Sequence, residues 1–147
     1  MDGEIFLRSA GAFFAIISFG TIVEMPKKYL LRAGAVGGFG WLTYLLVEQW
    51  TMSAPMAAFL SSLVVAGTSH IFARRLKAPV TVFLVAGILP SVPGASIYRS
   101  VYFMMQGSRA MSTYYLVQTL QISGAIAMAV FFMDSLFGLG RGRGKPS

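Results

Sequence analysis

The chain has 147 residues, of which 56% are hydrophobic and 12% charged, whereas a soluble domain carries about 25% charged residues. The apolar residues form long blocks instead of alternating with polar ones, which excludes a soluble module and gives an all-α, polytopic integral membrane protein of one domain. The net charge of +7 gathers in short loops, as in an inner-membrane protein, so nucleic acid is not the partner; with no cysteine, disulfides and thiolate metal sites are excluded.

The opening "MDGE" is acidic. A secretory signal would begin with a positive region, so the N-terminus reads as uncleaved. A helix needs roughly 20 mainly apolar residues to cross a bilayer. A first span is predicted over about residues 5–23, interrupted only by Arg8, and the loop "EMPKKYL" follows. A second runs over about 30–47, with Arg32 at its start. After "EQWTMS" a third covers about 55–73, opened by Pro55, where a proline loses no needed hydrogen bond. "RRLKAP" leads into residues 79–106, and a final span covers about 112–137. Residues 1–140 thus form the membrane domain, and 141–147, within "GRGRGKPS", a basic, mobile cytoplasmic tail.

The segment 79–106 is interrupted near its middle by "LPSVPGASIYR". Pro90 and Pro93 have no N–H, so in a helix they leave the carbonyls of Ala86 and Leu89 without partners. Beyond Gly94 a new half-helix begins, and its first N–H groups also lack intrahelical acceptors. Lipid cannot satisfy these groups, so the break must face protein or a wet cavity. A half-helix N-terminus aimed at an anionic substrate is a device of secondary transporters. Arg99 follows about one turn beyond the break. An intramembrane arginine is a functional hypothesis by default, and a guanidinium can hold a carboxylate with two parallel hydrogen bonds. The plainer reading is a proline kink with Arg99 reaching toward headgroups.

Charge sets the orientation. The loops after spans one and three carry Lys27, Lys28, Arg74, Arg75 and Lys77, whereas the loop after span two carries Glu48 and no Lys or Arg. The positive-inside rule places the N-terminus outside and the basic tail inside, with Arg109 a mild violation. Five spans, the fourth broken at 90–94, meet this; a re-entrant hairpin would put the tail outside.

Around the Pro-Gly break the sequence resembles the threonine/serine exporter family. Pro90, Pro93 and Gly94, followed by Tyr98 and Arg99, match a Pro-x-x-Pro-Gly segment of that family's C-terminal membrane half. The resemblance covers nearly the whole chain and is closest to small single-unit members, which work with a larger membrane subunit carrying a cytoplasmic N-terminal region. It implies export of small carboxylates: threonine and serine, or dicarboxylates such as succinate. Five is odd, so two such units must lie in opposite orientations, as in an inverted-repeat transporter. A dual-topology homodimer would also serve, but the charge bias argues against it.

The expected substrate-binding residues are Pro90, Ser91, Pro93, Gly94, Ser96, Tyr98 and Arg99. Gln118 and Gln121 share a face of the last span, bonding to a neighbouring helix or lining the path. Gly34 and Gly38, at GxxxG spacing, are expected to pack against another helix. His70, the single histidine, is a residue type that can carry a coupling proton, but its position before "FARR" favours an interfacial place. Glu24, Glu48 and Asp134 lie at span ends, and Ser61, Ser62, Thr68 and Ser69 are expected to bond to their own helix. No carboxylate pair, His-Glu-x-x-His pattern or phosphate loop is present, so an enzyme is not expected, nor a cofactor or metal. A non-transporting scaffold subunit is the alternative function, and a passive channel a third.

Overall fold

A computed structural model describes residues 2–142. Six helices follow in order: α1 (Asp2–Ile22), α2 (Lys27–Thr51), α3 (Ala54–Leu76), α4 (Val80–Ile88), α5 (Gly94–Met105) and α6 (Arg109–Gly142), with a 3₁₀ turn at Leu89–Ser91 between α4 and α5. No strand occurs among the described residues. Helices α1, α2, α3 and α6 are each long and apolar enough to cross a membrane. The pair α4–α5, bent by 47°, makes a fifth span if counted as one. The protein is an all-α, multi-pass membrane protein.

Two contacts fix the course of the bent pair. Arg74, near the end of α3, donates a hydrogen bond to the Phe137 carbonyl near the end of α6. The start of α6 shares a cleft with Met52–Pro55 at the start of α3. Since α4 begins beside the end of α3 and α5 leads into the start of α6, the broken segment runs from one end of the bundle to the other. This is the course of one interrupted span.

The ends of the elements follow local chemistry. Helix α3 opens with Pro55 in its first turn and ends on Lys77 in the left-handed region, with Arg74 and Arg75 in its last turn facing the negative end of the helix dipole. The α5–α6 turn closes through Gly107, whose φ is +78°, with Ser108 N–H bonded to the Phe103 carbonyl. A side chain at Gly107 would meet open space, so its cost is purely conformational. Gly107→Ala should therefore lower stability by about 1–2 kcal/mol, read as a lower unfolding midpoint in detergent.

Helix α6 is longer than the apolar stretch that announces it. Its 34 residues span roughly 50 Å at 1.5 Å per residue, against a hydrocarbon thickness of about 30 Å, so it must tilt or project. Residues 143–147, most of the expected tail, lie outside the described residues.

The core lies among α1, α2, α3 and α4. Phe83 of α4 is fully buried against the rings of Tyr29, nearly perpendicular to it, and Phe72, tilted, with Ile16, Ala33, Ala73 and Ala86 around it. Close approach depends on glycine. Gly34 faces Phe13 and Ile17 of α1, so the GxxxG pair packs within this chain. Gly40 and Gly87 face opposite methyl groups of Val65. In lipid, where apolar burial gives helices little drive to associate, such contacts supply much of the stability.

Candidate functional site

The backbone of the break is better satisfied than the sequence predicts. Val92 N–H bonds to the Leu89 carbonyl at 3.3 Å, because the segment tightens into a 3₁₀ turn with i→i+3 bonding. The expectation that Leu89 would keep a bare carbonyl is thus corrected. Gly94 N–H bonds to the Val92 carbonyl at 2.8 Å, and Ile97 N–H to that of Pro93 at 3.0 Å. Ala95 and Ser96 N–H find no backbone acceptor among the described residues. Gly94 and Ala95 are exposed, so the positive end of α5 is open.

The predicted side chains divide between two faces. Ser91 turns inward and is buried, its hydroxyl 3.3 Å from Ser61 Oγ. Ser96 and Arg99 lie toward α6. Ser96 Oγ donates to Gln118 Oε1 at 3.2 Å, and the Arg99 guanidinium sits 5.5 Å from the centre of the Tyr115 ring. One turn on, buried Ser100 donates to the Ser112 carbonyl at 3.0 Å. Arg99 is exposed and has no carboxylate partner among the described residues. Tyr98 faces outward, stacked loosely on Tyr102. Pro90 and Pro93 are half-buried and shape the turn.

Gln118 and Gln121 open onto a cleft of about 490 Å³ between the start of α3 and α6, with Ser53, Thr113 and Tyr114. Gln118 therefore joins the half-helix to this cleft through its bond to Ser96. This combines both readings of the glutamines: Gln118 makes an interhelical bond, and both line a cleft.

Three serine assignments are corrected. Ser61 does not bond to its own helix; its hydroxyl donates to the Gly40 carbonyl of α2 at 2.7 Å, while Thr68 does bond back to Val64. Ser62 and Ser69 do not bond to their own helix either: their buried hydroxyls find no partner among the described residues. Ser61→Ala should cost about 0.6 kcal/mol, and up to ~1.7, the range of interhelical hydrogen bonds in membranes, measured as a lowered unfolding midpoint in detergent. His70 is buried within the protein at 7% exposure, and its Nε2 lies 2.6 Å from Asp134 Oδ1 on α6. The sequence hint for this pair was the lone aspartate late in the last span.

Among the described residues, no cluster of three or more His, Cys, Asp or Glu could hold a metal ion. No solved structure matches the chain. The family described as Threonine/Serine exporter, ThrE matches residues 8–136, which take in most of every spanning helix, the break, Arg99 and both glutamines. The chain belongs to the threonine/serine exporter family, a family of membrane transport proteins.

Proposed function

We propose that the chain is one five-span unit of an inverted-repeat secondary exporter of small carboxylates, threonine and serine or succinate-like dicarboxylates. The observation that carries this is the open start of α5 with an unpaired guanidinium one turn along it. The N–H groups of Ala95 and Ser96 and the Arg99 fork form a positive, hydrogen-bonding surface for a carboxylate. Ser96 and Tyr98 add hydroxyl groups, and Gln118 and Gln121 line the cleft beside it. Pro90, Pro93 and Gly94 hold the backbone open, and Ser91 anchors the turn to α3 through Ser61.

The site has one wall in this chain. Helix α5 packs on α6 and presents Tyr98, Val101, Tyr102 and Met105 outward. The second wall comes from a second membrane subunit of the same family, which carries a cytoplasmic N-terminal region. The pair lies in a bacterial inner membrane, and the basic end of this chain, with Lys27, Lys28, Arg74, Arg75 and Lys77, is cytoplasmic.

The test is release of labelled threonine, serine or succinate from vesicles holding both subunits. Release above that from empty vesicles supports the reading. Release no faster than from empty vesicles, with both subunits inserted and assembled, favours a scaffold. Because the chain has no cysteine, single introduced cysteines report the side of each terminus without background.

A further inference from the structure

We propose that His70 and Asp134 form a proton-binding site that couples proton entry to movement of α5–α6 against the rest of the chain. This rests on the transport reading above. The packing divides the chain into two parts. Helices α1, α2, α3 and α4 share the core, whereas α5 packs on α6, and α6 meets the core principally through α3. Two connections hold the parts together: the α3–α6 seam and the broken turn at Leu89–Pro93. Movement of this hairpin would slide α6 along α3 and flex the broken turn.

His70 sits in that seam. Its side chain is 9% exposed and bonded to Asp134 of α6 across 2.6 Å. Phe137 of α6 stacks on the imidazole, with ring centres 4.5 Å apart and planes at 7°. Arg74 lies over the same Phe137 ring at 4.8 Å and donates to its carbonyl. One hydrogen bond to a carboxylate, one ring stack and one cation thus fasten the basic ends of α3 and α6.

The two imidazole nitrogens have different surroundings. A carboxylate accepts, so Nε2 carries the hydrogen and Nδ1 keeps a lone pair. Nδ1 is buried and finds no partner among the described residues. It is the position left for an incoming proton. Loading it strengthens the attraction to Asp134 but creates a buried N–H donor without an acceptor. In the present arrangement that donor stays unsatisfied, so the proton favours any arrangement of the seam that supplies an acceptor. The proton therefore has a different free energy in two arrangements of the seam, which coupling requires.

Asp134 is well placed to transmit the shift. Its side chain is 54% exposed and opens onto a cleft of about 580 Å³ between α4 and α6. The far end of this cleft is the broken turn itself, at Ile88, Leu89 and Val92. The other charged groups near His70 are few. Helix α3 adds Arg74 and Arg75, α6 adds Asp134, and α4 has no titratable residue. On α2, buried Tyr29 shares a cluster with Ala73, while Lys28 and Arg32 at the same end are exposed.

The test uses both subunits in vesicles with a trapped pH-sensitive dye and labelled threonine, serine or succinate. His70→Gln keeps a hydrogen-bonding amide but cannot take the proton, and Asp134→Asn removes the partner charge. Expected for both is loss of gradient-driven accumulation and of the accompanying proton movement, while exchange between equal substrate pools persists. Accumulation and proton movement at the wild-type level in His70→Gln would overturn the coupling role. Loss of exchange together with accumulation, in variants whose unfolding midpoints match wild type, would also overturn it, since the pair would then serve binding. A wild type that exchanges none of the three substrates defeats the export reading, and the coupling with it.

Discussion

Arg99→Ala should weaken carboxylate binding by roughly 10- to 100-fold and reduce export at low substrate to near background. A hydrogen bond to a charged group contributes about 1.5–3 kcal/mol, and each 1.4 kcal/mol is tenfold in affinity. The fold should hardly notice. Arg99 is exposed, forms no ion pair among the described residues, and touches Tyr115 only through its ring face. An exposed cation–π contact contributes about 0.5–1 kcal/mol. Binding and stability therefore separate, and the measurements are a concentration series of export and an unfolding curve of the same preparation. Arg99→Lys sharpens the test. It keeps the charge but loses the planar fork, so a two-point grip predicts a deficit between wild type and alanine. Wild-type export from Arg99→Ala would remove the guanidinium from the site and leave the half-helix start as the anion-binding element.

The largest loss of stability is expected at Gly40→Ala, at about 1–3 kcal/mol, the range for overpacking a filled core. The added methyl would overlap Val65 Cγ2. Val65 is fully buried, and its other methyl lies 2.7 Å from where a Cβ on Gly87 would be. A β-branched side chain in a helix has one strongly preferred rotamer, and here both methyls already fill notches. Rotation cannot relieve the overlap, so α2 and α3 must separate, stretching the Ser61 to Gly40 bond. Gly37→Ala is the control. There the clash is with the terminal methyl of Ile16, which can swing aside, so the cost should be smaller. Unfolding midpoints in detergent decide the order; equal effects at the two glycines would contradict it.

Membrane class, the number of spans and the position of the break could all be read before any coordinates. Each rests on a property carried by consecutive residues. Apolar blocks must be helical in lipid because the backbone has no other partner there. Two prolines remove two N–H donors wherever they fall. The break came out within a residue or two of its expected place, as residues 89–93 between helices ending at Ile88 and starting at Gly94.

Partners across helices were not legible. Ser61 was expected to bond within its own turn, because that acceptor is always in reach; only the depth of the Gly40 notch brings the carbonyl of α2 closer. His70 was expected near the membrane surface because basic residues follow it, but its partner was not legible: the rotation of α3 turns the imidazole onto an aspartate 64 residues away. Local sequence determines which backbone groups are free and how deep a segment lies. The rotation and register of one helix on another depend on the fit of side chains from several helices at once. So the sequence alone determined that this chain is a broken-helix membrane protein, and only the tertiary structure decided that Ser91 turns inward, Arg99 faces α6, and His70 meets Asp134.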